Sequence, residues 1–223
     1  MTNQKIQNGI IEAPLKVNQI RRLYDFASHF YSLANLIEGK HHARALELTQ
    51  IQPNDKVLEV AVGLGYTFLK ILKKVNKTNT VYGIDLSPKM LEKTRKLVTK
   101  NGFSNFKLEE GDARKLPYPD ETFDILYNSY MLDLTPLADI SIILKEFHRV
   151  LKKGGKLVLV NFSKKDSSPV FTETLYKINP SLWFGCRPVL TESYVKEVGL
   201  KDVEREVPKF FFSLPSEIVT AKK

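Results

Sequence analysis

Short apolar runs alternate with helix-length amphipathic stretches through the middle of this chain, and that rhythm restricts it to few folds. Residues 56–62, 80–84, 106–110, 123–130 and 156–162 are short runs bounded by turn residues. Runs of that length read as strands. Between them, Phe68, Ile71, Leu72 and Val75 recur at helical spacing, as do Met90, Leu91, Thr94, Leu97 and Val98. Leu137, Ile140, Leu144, Phe147 and Leu151 mark a third helical stripe. Ser87-Pro88 has the form of a helix start, with serine as N-cap and proline at the first helical position, and Thr135-Pro136 repeats it. Asn101-Gly102 closes the second helix, and Gly154-Gly155 forms a turn before the strand at 156–162. Strands separated by helices imply a parallel sheet with right-handed crossovers, a doubly wound α/β fold.

The flanks differ from this core. Residues 1–50 precede the first core strand and read as helical from about residue 19 to 49, a helical cap on a domain spanning 51–223. Residues 163–190 hold Ser167-Ser168-Pro169, Asn179-Pro180 and Arg187-Pro188 with aromatics between them, and read as an irregular insertion. A short helix follows at 191–198, closed by Gly199. Residues 201–207 and 210–220 then form a terminal antiparallel pair. The single cysteine, Cys186, excludes an internal disulfide framework and a cysteine-based structural zinc site. No metal site is indicated, and a reducing, cytoplasmic setting is expected. The first residues lack the apolar core of a signal peptide, and no apolar run is long enough to span a bilayer. The net charge of +9 is compatible with nucleic acid, an anionic membrane surface touched peripherally, or an acidic substrate. Lys70, Lys73, Lys74 and Lys77 fall on the polar side of one helix, which also fits a plain solvated face.

In such sheets a ligand binds at the carboxyl ends of the strands, at the switch point. Every chemically suggestive motif falls on such an end. The first is the turn Glu59-Val60-Ala61-Val62-Gly63-Leu64-Gly65. Its small residues permit positive φ and close backbone approach to a ligand. The spacing is E-x-A-x-G-x-G, without the third glycine of the dinucleotide fingerprint. The second is Asp85, which closes the second strand and can accept both hydroxyls of a ribose, a role that suits NAD or S-adenosylmethionine (SAM) equally. The third is Gly111-Asp112-Ala113, whose aspartate can accept from an adenine amino group or simply cap a turn.

These motifs, with the Leu116-Pro117-Tyr118-Pro119-Asp120 turn and the stretch Phe147-His148-Arg149-Val150-Leu151-Lys152-Lys153-Gly154-Gly155, occur in an order and spacing that resembles the class I SAM-dependent methyltransferases of the type 11 subgroup. Tyr24-Asp25-Phe26-Ala27, followed by Tyr31 and Asn35, is similar to the N-terminal helix of the ubiquinone/menaquinone C-methyltransferases. The resemblance implies a mostly parallel seven-stranded Rossmann-like sheet under an N-terminal helical cap. It implies that Glu59, Ala61, Gly63 and Gly65 line the methionine end of SAM. Asp85 and its neighbour Leu86 would take the ribose, and Asp112 with Ala113 the adenine. Asn128 would face the methionine portion and the acceptor, and Tyr24 and Tyr31 would cover the cofactor. In the quinone enzymes an Arg-Asn pair follows strand four and assists proton removal; here the aligned residues are Leu132 and Asp133.

The implied reaction transfers a methyl group to a small-molecule or lipid-like acceptor of quinone-precursor type. Asp133, Trp183 and Arg187 are the candidate acceptor contacts, with Trp183 lining an apolar pocket and Arg187 holding an acidic group. Candidate bases are His29, His41 and His42 before the core; His148 reads as structural, and no catalytic residue stands out. A phospholipid headgroup N-methyltransferase is the alternative that the basic charge and Arg187 support. A nucleic-acid enzyme is disfavoured. Amino-methylating enzymes of that kind carry Asn-Pro-Pro-aromatic after strand four, whereas this chain has Asn128-Ser129-Tyr130-Met131, and it shows no separate basic recognition module. A nucleotide-binding module without catalysis is the reading from another class. Nothing in the sequence indicates an oligomeric state.

Overall fold

A computed structural model describes residues 6–7, 10–13, 17–27, 34–164, 173, 186–209 and 215–223. Two short strands, β1 (Ile6–Gln7) and β2 (Ile10–Ile11), pair antiparallel ahead of helices α1 (Val17–Ala27) and α2 (Ala34–Thr49). The core then alternates as β3 (Val57–Val60), α3 (Tyr66–Leu72), β4 (Val81–Asp85), α4 (Pro88–Lys100), β5 (Phe106–Glu110), β6 (Phe123–Ser129), α5 (Leu137–Val150) and β7 (Leu151–Phe162). It ends with α6 (Glu192–Glu197), β8 (Lys201–Glu206) and β9 (Ser216–Lys222).

The expected doubly wound sheet is present. Seven strands lie in the order β5-β4-β3-β6-β7-β9-β8. The first five are parallel, and β9 pairs antiparallel with both β7 and β8. Strand side chains alternate between two apolar layers, so both faces are buried, as a parallel sheet requires. Leu58, Val60, Leu126, Leu157 and Leu159 meet α5 and α6 on one face. Val57, Ile125, Tyr127, Val158 and Val160 meet α2, α3 and α4 on the other. Because β3 sits at the centre, with β4 on one side and β6 on the other, the chain reverses its winding there. The carboxyl ends of these three strands flank one crevice.

The segment expected as a helical cap divides in two. Ala45 and Leu46 of α2 belong to the buried layer beneath β6 and β7, so α2 is a sheet-covering helix. Among the described residues α1 lies over the carboxyl ends, packed against α4, and α2 reaches them through His42. Several boundaries also differ from expectation. Ser87 caps α4 as anticipated, accepting from the Met90 amide at 3.2 Å. Thr135 does not cap α5: its hydroxyl donates to the Met131 carbonyl at 2.9 Å, and Pro136 holds the N-cap position. The free Leu137 amide is capped instead by Glu12, whose carboxylate accepts from it at 2.8 Å. Leu151, expected on the helix, opens β7 by pairing with Phe123. Gly154-Gly155 lies in an irregularity inside that strand: Phe123 pairs with Leu151 but Ile125 with Lys156, so residues 152–155 stand against Asp124 alone.

Most of the expected insertion lies outside the described residues. Its two roots are fastened by buried charges. Glu217 accepts from the amide and hydroxyl of Thr191, from Ser163 and from Arg205. Lys164 and Glu173 form a buried ion pair at 2.7 Å.

Candidate functional site

The turn after β3 is held by main-chain bonds rather than by its side chains. The amides of Ala61 and Val62 both donate to the Ile84 carbonyl of β4, at 2.8 and 3.3 Å. Ala61, Gly63 and Gly65 take φ of 61°, 54° and 80°. These left-handed values strain an ordinary side chain and explain the run of small residues. A Cβ at Gly65 would fall 2.6 Å from the Thr94 side chain, whereas at Gly63 it would meet nothing within 4 Å. Gly65 is therefore needed for packing on α4, and Gly63 for keeping the crevice open.

Asp85 locks this turn to the end of β4. One carboxylate oxygen accepts from the Gly63 amide at 2.9 Å, and the other from the Ser87 amide at 2.8 Å. Burial nevertheless dominates and pushes its carboxyl from 3.8 up to about 6 against those backbone bonds. Glu59, one strand over, is buried beside it. Burial and the adjacent Asp85 raise the Glu59 carboxyl well above its usual range. Its Oε2 is shielded from solvent and has no hydrogen-bond partner among the described residues. Two buried carboxyls side by side form a site of suppressed negative charge.

A crevice of about 1260 Å³, counting space open to solvent, runs along these strand ends. Of the residues expected at the cofactor, Tyr24, Glu59, Ala61, Gly63, Gly65, Asp85, Leu86, Asp112 and Ala113 all line it. The Asp112 carboxylate is already gripped by Arg114, through Nε and a second guanidinium nitrogen at 2.6 Å. Burial works to raise its carboxyl, but the Arg114 bonds prevail and hold it below the usual value. Helix α1 closes the rim: Ile20, Arg21 and Tyr24 line the crevice, Arg21 pairs with Glu110 at 2.8 Å, and Asp25 accepts a short hydrogen bond from the Ser87 hydroxyl.

Three expected contacts are not brought into the crevice. Asn128 is fully buried and pins β6 to β3 by donating to the Val60 carbonyl at 2.9 Å. Asp133 is fully buried and accepts from the Phe162 amide, tying the post-β6 turn to β7. Arg187 is also fully buried, donating to the carbonyls of Asp133 and Thr135. It is not among the residues that line the crevice. Tyr31, Trp183 and His29 lie outside the described residues.

The structure adds lining residues that no motif announced. Thr67, Ser129, Tyr130, Met131, Leu134, Thr135, Pro136 and Ile143 also line the crevice, and His42 of α2 joins them. The His42 Nδ1 lies 2.9 Å from the Tyr127 hydroxyl and 3.2 Å from that of Thr67, and its ring stands edge-on to Tyr130. His41 does not line the crevice. Burial and then the neighbouring His42 lower its basicity. A signal for His42 was available only as its residue type.

A Rossmann-like sheet that buries its ligand-facing acids beneath a glycine turn defines the class I methyltransferase domain. Residues 57–155 match the family model described as a methyltransferase domain. A demethylmenaquinone methyltransferase of Anoxybacillus flavithermus is 30% identical over 86% of this chain and 82% of its own length. A ubiquinone/menaquinone biosynthesis C-methyltransferase of Hydrogenovibrio crunogenus is 33% identical over 73% of this chain and 66% of its own. Among solved structures, a phosphoethanolamine N-methyltransferase of Haemonchus contortus, held with S-adenosyl-L-methionine, superposes with a TM-score of 0.71 at 15% identity, covering 92% of this chain and 60% of its own. That likeness is one of fold. The chain belongs to the family of the demethylmenaquinone methyltransferases and is a SAM-dependent methyltransferase.

The residues present fit that cofactor. Gly63 leaves open space where any side chain would intrude, and the buried Glu59 Oε2 awaits a donor or a positive charge. No helix among the described residues is long and apolar enough to cross a membrane.

Proposed function

We propose that the protein methylates a small, apolar hydroxyaromatic acceptor of the quinol type, at a site whose cofactor half is formed by the 59–65 turn and Asp85 and whose acceptor half is the apolar lining beside Tyr130. In this reading Glu59, Ala61, Gly63 and Gly65 hold the methionine end of the cofactor. Asp85 and Leu86 hold the ribose, Asp112 and Ala113 lie by the adenine, and Tyr24 on α1 closes over it. The bound cofactor supplies a methyl group on a cationic sulfonium, whose departure needs alignment more than it needs a protein nucleophile. The two carboxyls at 59 and 85 suit such a cation, since each regains its charge beside a positive partner.

The observation that carries the acceptor class is the character of the second half. Met131, Leu134, Pro136, Ile143 and Tyr130 offer an aromatic ring apolar contact, and the two arginines that line the crevice among the described residues are held in ion pairs, Arg21 with Glu110 and Arg114 with Asp112 and Asp139. The names of the sequence relatives point the same way. The buried Arg187, donating to main-chain carbonyls, weighs against the headgroup N-methyltransferase alternative that leaned on it.

Peripheral contact with an anionic membrane surface fits a lipid-like acceptor. Residues 66–107 hold ten of the 34 lysines and arginines but, among the acids, only the buried Asp85 and Glu92. Lys70, Lys73 and Lys74 on and after α3, and Lys89, Arg95 and Lys96 on the neighbouring α4, are solvent-exposed. The rest of the chain is close to neutral. Such a face is drawn to anionic lipid at low salt.

The test is a label-transfer panel with methyl-labelled SAM and three acceptors: a short-chain demethylated naphthohydroquinone, a phosphatidylethanolamine vesicle and bulk RNA. Label in the hydroquinone alone is expected. Label confined to the phospholipid overturns the acceptor reading. Cosedimentation with phosphatidylglycerol vesicles but not phosphatidylcholine vesicles, lost at high salt, is expected of the basic face.

A further inference from the structure

We infer that the protein releases a proton when it takes up its cofactor and recovers one with the spent product, because the buried pair Glu59 and Asp85 carries two negative charges only while a cation lies beside it. The pair thereby sorts the cationic cofactor from the neutral thioether that methyl transfer leaves. This rests on the cofactor placement proposed above.

The two carboxyls differ in what the chain supplies to them. They stand on neighbouring parallel strands, with Glu59 of β3 level with Gly83 of β4 and Asp85 two residues further on. Asp85 is met by the amides of Gly63 and Ser87. The turn after Glu59 spends its own amides elsewhere. Those of Ala61 and Val62 go to the Ile84 carbonyl, that of Gly63 to Asp85, and that of Gly65 to the Val62 carbonyl. Glu59 is 1% exposed, and its Oε2 has no hydrogen-bond partner among the described residues. A carboxylate oxygen deprived of both water and donors favours the neutral acid. Burial and the adjoining Asp85 act in that same direction on Glu59.

The surrounding groups come from every element packed on the pair. Tyr127 of β6 lies level with Glu59, and its hydroxyl meets His42 of α2. Tyr66 opens α3 at the crevice. Asp25 of α1 adds a third acid near Asp85. The arginines that line the crevice among the described residues already hold carboxylates of their own, Arg21 that of Glu110 and Arg114 those of Asp112 and Asp139. A cationic ligand brings this pair the positive charge that both arginines have committed elsewhere.

The step is an ionisation and needs no other reagent. The Glu59 O–H bond breaks, its electron pair stays on the oxygen, and the proton passes to solvent. Once the positive charge on sulfur is gone, a carboxylate of the pair takes a proton back from solvent. Binding that releases a proton strengthens as pH rises, by up to about tenfold per pH unit for one proton, until the empty protein is itself ionised. Binding of the neutral thioether releases less and changes less with pH.

Calorimetric titration of the whole protein at pH 7, in buffers of different ionisation enthalpy, counts the protons and needs no turnover. SAM is expected to release about 0.5–1 proton, and S-adenosylhomocysteine less than half as much. Equal release with both ligands overturns the sorting, and no release with SAM overturns the whole inference. Glu59→Gln keeps the shape of the neutral acid with no proton to lose. It is expected to unfold at the same urea concentration as wild type or higher, and to bind S-adenosylhomocysteine within threefold of wild type. Its SAM affinity is expected to fall about tenfold or more, without proton release. A Glu59→Gln protein that loses both ligands equally refutes the sorting and leaves the cofactor placement standing. One that binds both as wild type does removes Glu59 from the site and overturns that placement as well.

Discussion

Asparagine at position 85 should make the empty protein more stable while making it a poorer cofactor binder. The Asp85 carboxyl rises from 3.8 to about 6 because burial outweighs its bonds to the Gly63 and Ser87 amides. That displacement corresponds to about 3 kcal/mol favouring the neutral form. The folded chain therefore binds this proton more tightly than the unfolded chain. Its stability contribution is whole below pH 4, declines as pH rises, and is lost above pH 6. Asparagine resembles the neutral acid in shape and cannot ionise. At pH 7.5 Asp85→Asn should unfold at higher urea, by up to about 3 kcal/mol, and at pH 4 the two proteins should be equal. One amide now faces a side-chain NH₂ instead of an oxygen, which subtracts about 1 kcal/mol from the gain. The cost appears on binding: losing a charge-assisted contact should weaken SAM by about 1.5–3 kcal/mol, or roughly tenfold to 150-fold. Wild-type SAM affinity should fall likewise as pH drops below 6. Urea titrations followed by far-ultraviolet circular dichroism at the two pH values, with calorimetry for SAM, measure both sides. An Asp85→Asn protein no more stable than wild type at pH 7.5 refutes the burial argument. An unchanged SAM affinity removes Asp85 from the proposed site.

Gly65→Ala should destabilise the fold by about 1–2 kcal/mol from its φ of 80° alone, and by more from the clash with Thr94, seen as a lowered thermal midpoint. Glu12→Ala should cost about 0.5–2 kcal/mol in urea unfolding by uncapping α5 at Leu137, with little change in SAM affinity. Arg187→Ala should destabilise by about 2–5 kcal/mol, since it removes the guanidinium donor from the Thr135 carbonyl, takes one of two donors from the Asp133 carbonyl and leaves a cavity. A stable Arg187→Ala protein that had lost only acceptor turnover would return Arg187 to the acceptor site.

Legibility in the sequence followed how local each feature is. The central strands could be read because both faces are buried, so Val57–Val60 is apolar apart from Glu59 and β7 carries the apolar run from Leu157 to Val160. The cofactor half could be read because its shape comes from the main chain, and left-handed φ restricts positions 61, 63 and 65 to small residues. The start of α5 was misread because its cap arrives from Glu12, 125 residues away in the chain. Asn128, Asp133 and Arg187 had the right chemistry for a ligand, but the register of β6 turns Asn128 inward and the loops bury Asp133 and Arg187, where backbone groups needed partners. His42 could not be singled out, because only the docking of α2 on the sheet carries it to the crevice. Nothing in the helix's own pattern marks that face.

The division between the two halves of the crevice bears on how such a protein can change over generations. The turn at residues 59–65 hangs on the Ile84 carbonyl and the Asp85 carboxylate through its own amides. Exchanging side chains at 131, 134 or 143 leaves that scaffold in place. New acceptors can thus be tried by altering a few apolar side chains while cofactor use is inherited unaltered. Mutational drift at positions 61, 63 and 65 has no such freedom. The same backbone that makes the cofactor half hard to lose makes the acceptor half cheap to reinvent.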